Sequence, residues 1–283
     1  MRAAEVLLRG AVDYAGLFPP AALDLERAVA NYEAYRDGED AWALGRFVLP
    51  VTRLAEFADR WPQHVREWPI SLLLGVDFDS ELRLAVDAGL RLDAVECRPA
   101  GLQDVKAIRM RLRKDAELFV EAPQGVGVEE LLKAVKAAGA CAKIRMGGVT
   151  AEAIPSAELV AAFLCACARH ELKMKATAGL HHAVRAEHAL TYAADAPRAT
   201  MHGFVNFFVA AMLAMRGEDE KVLACLLEMD PEAFVAGEKF AAWGEDRFGL
   251  AEMEGMRESF VMSFGSCSFE EPMADLRAMR WVA

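Results

Sequence analysis

Four short segments of the chain alternate apolar side chains with charged ones, which is the pattern of a β-strand with one charged face. Successive side chains of a strand point to opposite faces, so each segment places its polar residues on one side. The set has five cations and two carboxylates, a local excess of +3 in a chain whose net charge is −11. A cationic cleft in an acidic protein attracts anions, and we therefore expect these residues to bind a small anionic substrate. They are Glu96 and Arg98 in 94–98, Glu121 in 118–121, Lys143 and Arg145 in 142–145, and Lys173, Lys175 and Thr177 in 173–177.

The last of these segments ends in the motif Lys175-Ala-Thr-Ala-Gly179. A lysine attacks a carbonyl only as the neutral amine, and burial beside other cations, here Lys143 or Lys173, lowers the pKa of a lysine. The motif resembles the Lys-x-Ser/Thr-x-Gly strand end of deoxyribose-phosphate aldolases and related class I aldolases. This resemblance implies a lyase in which Lys175 forms an imine with the substrate carbonyl. A Lys175 that binds a carboxylate or phosphate as a plain cation is the alternative.

Histidines follow the same motif and open a later helix. His181 and His182 come soon after Lys175, and His202 lies four residues before Asn206, which places the latter two on one helix face. Imidazole titrates near neutral pH and suits proton transfer. We expect His182 and His202 to be catalytic together with Glu121, and His181 and Asn206 to bind substrate. We expect no cofactor, with a divalent metal on imidazole and carboxylate as the alternative.

Small and hydroxyl-bearing residues mark two loops where the backbone could approach a ligand. One follows a predicted strand at 263–268, where barrel enzymes often bind phosphate through backbone N–H groups. Ser268 with Glu271 also fits a helix cap that needs no ligand. The other loop holds a pair of glycines, and because glycine has no side chain the backbone there can approach a ligand closely. The residues assigned to substrate binding in the two loops are Ser263, Gly265, Ser266, Ser268, Gly147 and Gly148.

The elements that must position these residues repeat along the chain. From residue 45 a short apolar run and a helix-period segment alternate about every 25 to 35 residues, which is typical of parallel βαβ units. We predict an α/β fold, one (β/α)₈ TIM barrel domain over 1–283, with 45–283 as the barrel and 1–44 as an N-terminal helical extension. The seventh unit is irregular, with its strand near 234–243, and the eighth strand is 260–264. In the extension, Asp13 and Tyr14 either reach into the site or belong to a plug at the bottom of the barrel.

Composition excludes several classes of protein. A net charge of −11 and a sequence pI near 5.1 provide no basic surface for nucleic acid. The most apolar stretch, Phe204–Met215, is shorter than the roughly 20 residues that span a bilayer, so it predicts a buried helix or a contact in a homo-oligomer rather than a membrane segment. The six cysteines lie mostly in apolar runs, which favours reduced thiols and a cytoplasmic protein.

These patterns support a first hypothesis and three rivals. The first is a lyase of the aldolase type that acts on a small anionic carbonyl compound. The second is a barrel transferase or hydrolase of phosphorylated or carboxylated substrates, for which a phosphoribosyltransferase of the quinolinate type is one example. The third is a metal-dependent lyase that uses the histidines, and the fourth is a binding barrel without catalysis. Sensitivity to chelators would isolate the third.

Overall fold

Eight parallel strands form a closed barrel, which confirms the predicted (β/α)₈ architecture. The computed structural model describes residues 2–123 and 127–282. Neighbouring strands follow one another around the barrel in chain order, and the last strand closes it between the first and the seventh. The barrel strands are β1 (Val12–Tyr14), β2 (Leu44–Pro50), β3 (Ile70–Leu73), β4 (Ala94–Cys97), β5 (Glu117–Glu121), β6 (Cys141–Arg145), β7 (Met174–Thr177) and β13 (Val261–Ser266).

The barrel begins earlier in the chain than the sequence predicts. Residues 1–44 are expected to be an extension, yet β1 lies between β13 and β2 and pairs in parallel with both. This strand has three residues, and alternation cannot be recognised over so short a run. Asp13, which the sequence places in the site or in a plug at the bottom, therefore belongs to a barrel strand.

The predicted seventh barrel strand is also wrong. Residues 234–243 form two strands of a small antiparallel sheet outside the barrel, and the place next to β7 is taken by β13. A short apolar run predicts a strand without telling which sheet it joins, and the remaining barrel strand is β1. The strands outside the barrel are β8 (Ala186–Ala189) paired with β9 (Arg198–Met201), and β10 (Phe234–Ala236), β11 (Phe240–Trp243) and β12 (Asp246–Gly249) in one sheet.

Helices cover the outside of the barrel with their apolar faces inward. In α7 the buried side chains are Leu131, Leu132 and Val135, and Val135 lies one helical turn after the two leucines. The helix is capped by Gly139, in the left-handed conformation that glycine adopts readily. The helices are α1 (Ala3–Leu8), α2 (Leu25–Asp37), α3 (Leu54–Arg60), α4 (Pro62–Glu67), α5 (Phe78–Asp87), α6 (Leu102–Arg111), α7 (Val128–Ala138), α8 (Ala157–Arg169), α9 (Phe204–Met215), α10 (Asp219–Leu227), α11 (Leu250–Ser259) and α12 (Glu270–Ala278).

Two apolar segments pack side by side on the barrel. Helix α9 is buried on all faces between α8, α10 and α11, as expected of a helix that is apolar all round. The segment Ala151–Arg169 is long and apolar enough to cross a membrane by length and composition, and half of its most apolar window is buried inside the protein. Burial of both segments within the chain accounts for their composition.

The side chains inside the barrel form layers, because alternate residues of each strand point inward as the sequence predicts. Ala94, Phe119 and Cys141 form a small apolar cluster near the amino ends of β4, β5 and β6. Two residues further along the same faces, the layer consists of charged side chains, with Glu121 opposite Lys143 and Lys143 opposite Lys175 in the strand register. The charged layer lies closer to the carboxyl ends of the strands, where barrel enzymes carry their active sites.

Candidate functional site

Five charged side chains form a continuous ionic network inside the barrel. Lys175 Nζ lies 2.5 Å from Asp13 Oδ2 and 2.8 Å from Glu96 Oε1. Lys143 Nζ lies 2.8 Å from Glu96 Oε2 and 3.0 Å from Glu121 Oε2. Every member is buried, with 6% exposure or less. Glu96 thus bridges the two lysines, and each ammonium contacts two carboxylates.

Hydrogen bonds fix the carboxylates of this network. Ser71 Oγ donates to Glu96 Oε1 at 2.7 Å, and Ser263 Oγ donates to Asp13 Oδ2 at the same distance. The backbone N–H of Arg46 donates to Asp13 Oδ1 at 2.8 Å. Because these donors come from β3, β13 and β2, the barrel itself sets the orientation of the Asp13 and Glu96 carboxylates.

The network is electrically balanced rather than cationic. Arg145 Nε donates to Glu121 Oε1 at 3.0 Å, which gives three cations and three carboxylates once Asp13 is included. Two of the predicted interior cations lie elsewhere, because Arg98 follows the end of β4 and Lys173 precedes β7, and both are exposed. The predicted excess of three positive charges is therefore wrong. Arg98 and Lys173 each lie one residue beyond a strand end, where the alternation of a strand no longer holds.

The pKa values follow from these pairs. Burial alone would lower the pKa of Lys175, but the carboxylates of Asp13 and Glu96 outweigh it and raise that pKa above its usual range. Burial opposes ionisation of Glu96 and Glu121, yet the cations beside them, above all Lys143, hold both carboxyl pKa values below their usual range. The depressed pKa expected for Lys175 is thus not found, because its nearest charges are carboxylates and not cations.

A cavity of about 240 Å³ opens over the network at the carboxyl ends of the strands. Lys143 and Glu96 form its floor, and Arg145 and Thr177 line it one layer higher on β6 and β7. Lys175 is fully buried and lies outside the lining. We call this cavity the mouth pocket; its lining is Ala15, Phe18, Pro19, Val48, Leu73, Glu96, Lys143, Arg145, Gly148, Val149, Thr177, Ala178, His181, Gly265 and Cys267.

The loops after β6 and β7 touch at one edge of the mouth pocket. A Cβ on Gly179 would lie 2.7 Å from the Cα of Gly147, and Gly179 has a φ of +74°. Both glycines are therefore required for the close approach of the two loops. The structure places Gly148 in the pocket lining as predicted, whereas Gly147 serves the contact between loops.

The two adjacent histidines have different surroundings. His181 lines the mouth pocket, with Nδ1 3.2 Å from Ser266 Oγ and 3.7 Å from Cys267 Sγ. Burial lowers its pKa to about 4, so the imidazole is neutral at ordinary pH. His182 lies beside the pocket, where its Nδ1 is 3.1 Å from Asp275 Oδ2. Of the pair, His181 is therefore the residue that lines the mouth pocket.

The structure does not bring His202 and Asn206 to the mouth pocket. His202 Nε2 lies 2.8 Å from the carbonyl oxygen of Pro155. Asn206 accepts from the backbone N–H of Arg185 at 2.9 Å and donates to the carbonyl of Cys225 at 2.8 Å. Asn206 joins α9 to neighbouring backbone, whereas His202 precedes the start of that helix, so the predicted shared helix face is wrong.

The serine-rich segment 263–268, which spans the end of β13 and the residues after it, has four roles. Ser263 holds Asp13, Ser266 contacts His181, and Gly265 lines the mouth pocket. Ser268 Oγ accepts from the backbone N–H of Glu271 at 3.1 Å, which is the helix cap considered from the sequence. The segment thus supports the site mainly by orienting other side chains.

Sequence reasoning missed two kinds of site residue. Ser71 is the lone polar side chain in the buried strand Ile70–Leu73, and that isolation is the signal that could have revealed it. Phe18 and Cys267 line the pocket from loops, where no periodicity indicates direction. A cluster of three or more His, Cys, Asp or Glu side chains able to hold a metal is not found within 2–123 and 127–282.

The arrangement offers a buried amine between two carboxylates, facing a small cavity with a guanidinium above it. Such a site can bind an anion and can exchange protons at the amine. Comparison with models of known protein families gave no match, and comparison with curated proteins gave none either.

Proposed function

We propose that the protein is a lyase of the aldolase type, which binds a small anionic carbonyl compound in the mouth pocket and forms an imine through Lys143. The observation that supports this assignment most is that Lys143 faces the pocket and contacts Glu96 and Glu121 at 2.8 and 3.0 Å. The local resemblance to class I aldolases assigns that role to Lys175, but this lysine is shielded from the pocket. Lys175 is better suited to hold Glu96 in place.

The chemistry begins with a proton transfer inside the network. Glu96 or Glu121 accepts a proton from the Lys143 ammonium, and the neutral amine attacks the carbonyl carbon. The carbonyl oxygen takes up two protons and leaves as water, so that a protonated imine remains. The protonated imine accepts the electron pair of the bond between the α and β carbons, and this bond breaks as Glu96 or Glu121 takes the proton of the β-hydroxyl, so that the departing fragment leaves as a carbonyl compound. Protonation of the resulting enamine and attack by water then release the product and restore the lysine.

Arg145 is the group that would bind the anionic part of the substrate. It lies two residues after Lys143 on the same face of β6, its side chain is 42% exposed, and it lines the mouth pocket. A guanidinium binds carboxylate or phosphate through parallel N–H donors. Because Phe18, Val48 and other apolar side chains form much of the remaining wall, the substrate is small and charged at one end.

Reduction of the imine by borohydride tests this proposal. The protein is incubated with a panel of small aldehydes, keto acids and sugar phosphates, reduced, and weighed intact by mass spectrometry. Wild type should gain the mass of one reduced substrate, and Lys143→Arg should gain none. Lys173→Arg, an exposed lysine just before β7, is the matched control and should give the wild-type adduct. Absence of an adduct with every member of the panel would contradict the proposal.

A second candidate follows from the same ion pairs. Carboxylates on both sides of Lys143 also favour its charged form, which suits a transferase or hydrolase that binds a phosphorylated or carboxylated substrate without a covalent step. In that case Lys143→Arg would keep part of the activity, whereas an imine-forming enzyme would lose it all.

A further inference from the structure

The mouth pocket is charged at one side and continues into a second cavity at the other. The second cavity, of about 30 Å³, shares His181, Pro19, Gly148 and Ala178 with the mouth pocket. Its remaining lining is Pro20, Gly179, His182, Ala189, Leu190, Thr191, Tyr192, Met201 and Glu271. We call it the side cavity. Its volume admits a group of about the size of one water molecule, such as a hydroxyl group of a ligand in the mouth pocket.

The side cavity differs from the mouth pocket in the sign of its charge. Lysine and arginine are absent from its described lining, and Glu271 contributes a carboxyl group there. Asp275 lies next to it, 3.1 Å from His182 Nδ1. Carboxylates repel an anionic group, whereas hydroxyl groups can donate to them. The side cavity thus suits hydroxyl groups, and the anionic end of a ligand belongs with Arg145.

His181 stands where the two cavities meet and is held in one orientation. Nδ1 lies 3.2 Å from Ser266 Oγ, and the imidazole is also 3.7 Å from Cys267 Sγ and 3.6 Å from Glu271 Oε2. Sulfur is a weak hydrogen-bond partner, so the ring keeps capacity for a stronger one. A neutral imidazole both donates and accepts, which matches a hydroxyl group, since a hydroxyl does the same.

Hydroxyl side chains complete this end of the site. Tyr192 belongs to the connection between β8 and β9, and its hydroxyl lies 3.7 Å from Cys267 Sγ. Thr191 lines the side cavity next to it. Both residues can donate and accept hydrogen bonds to a substrate hydroxyl, and neither carries a charge that would select an anion.

We infer that the substrate is a hydroxylated carbonyl compound, with its anionic group at Arg145, its carbonyl at Lys143, and a hydroxyl group bound by His181 at the edge of the side cavity. This inference rests on the proposed function and adds a substrate class to it. It makes His181 the residue that selects hydroxylated substrates over hydroxyl-free ones of the same length.

Borohydride trapping of a matched pair of probes tests the inference. The probes are a six-carbon keto acid with hydroxyl groups beyond the carbonyl and 2-oxohexanoate, which lacks them, and the measured quantity is the concentration that gives half-maximal adduct. Wild type should favour the hydroxylated acid by about tenfold, the ratio that one net hydrogen bond of about 1.4 kcal/mol provides. His181→Phe should reduce this preference to less than twofold, and His181→Gln should retain part of it.

Controls separate the failure of this inference from failure of the proposed function. His170→Phe, which replaces a histidine paired with Glu129 on the outer helices, should keep the wild-type preference. An adduct with both acids but no preference in wild type would overturn the inference while leaving the imine intact. A preference that survives in both His181→Phe and His181→Gln would overturn it as well. No adduct with either acid would count against the proposed function itself.

Discussion

Glu96 is the residue on which the charged layer depends, since it contacts both buried lysines. Buried charges are costly unless they are paired, and removal of one partner leaves the others uncompensated. Asp13 and Glu96 share Lys175, whereas Glu96 and Glu121 share Lys143. Loss of either lysine therefore leaves two buried carboxylates without the ammonium group that they share.

Replacement of Lys175 measures how strongly this layer contributes to stability. Lys175→Met should lower the free energy of unfolding by about 3–5 kcal/mol, because it leaves Asp13 and Glu96 buried without their shared cation. The measurement is chemical denaturation at neutral pH. Lys173→Met, two residues away and exposed, should change stability by no more than about 0.5 kcal/mol. Equal small losses in the two variants would show that the network is not buried as described.

For single residues, the sequence predicts which face of a strand a side chain occupies better than it predicts whether that side chain lies inside the barrel. Alternation correctly turns Glu96, Glu121 and Lys143 into the barrel, because one face of each strand must pack against helices. It cannot tell where a strand ends, so Arg98 and Lys173 were counted as interior although they lie beyond the strand ends. Which charges meet which, and hence the sign of each pKa change, depends on contacts between strands distant in sequence.

Among the elements, the loops after β6 and β7 define one edge of the mouth pocket through the contact of Gly147 with Gly179. That contact depends on two separate features of Gly179, its positive φ and its closeness to the neighbouring loop. The chain offers a way to separate them, because Gly217 has a φ of +73° with open space around it.

Alanine at these two glycines distinguishes backbone strain from a collision between loops. Gly217→Ala should cost about 1–2 kcal/mol of stability, the usual cost of a left-handed conformation outside glycine. Gly179→Ala should cost more, because the added Cβ would also lie 2.7 Å from Gly147 Cα. It should also weaken trapping of the carbonyl probe, since Gly148 and Ala178 line the pocket. Thermal unfolding and adduct yield measure both effects, and an equal loss in the two variants would argue against tight packing of the loops.

The elements of the repeating units could be predicted from the sequence, and those that break the repeat could not. Strands β2 to β7 each coincide with a clear apolar run, and a helix follows most of these strands. Strand β1 is too short to show a period, and β10 and β11 are short apolar runs like those of the barrel strands. The number of strands that close the barrel is a property of the whole sheet, so local pattern alone misplaces its first and seventh members.

For the molecule as a whole, buried neutral histidine and buried ionised carboxyls make stability depend on pH in two separate ranges. Burial lowers the pKa of His181 from 6.5 to about 4, so the unfolded chain binds a proton in that range while the folded protein does not. Stability should fall as the pH decreases from about 6.5 to about 4. The lowered pKa values of Glu96 and Glu121 add a further loss below about 4.5, where the unfolded carboxyls become protonated first.

His181→Gln should reduce the first of these losses, and His188 and His202, whose pKa values burial also lowers, should keep the rest. Wild type should lose up to about 3 kcal/mol from His181 between pH 6.5 and pH 4, and the variant should show a flatter curve over the same range. Below about pH 4.5 both proteins should lose further stability, because Glu96 and Glu121 are present in each. The measurement is denaturant unfolding at a series of pH values. Parallel curves for the two proteins between pH 6.5 and pH 4 would mean that His181 is not held neutral by burial.

The central claim, that Lys143 is the reacting amine of an enzyme built around a balanced charged layer, is tested most directly by mapping the reduced adduct to a peptide. After borohydride reduction with the carbonyl probe that reacts best, proteolysis and mass spectrometry should place the added mass on Lys143. Lys175, held by Asp13 and Glu96 outside the pocket lining, should be unmodified. An adduct on Lys175 would contradict the assignment and would restore the role that the local sequence resemblance gives to that residue.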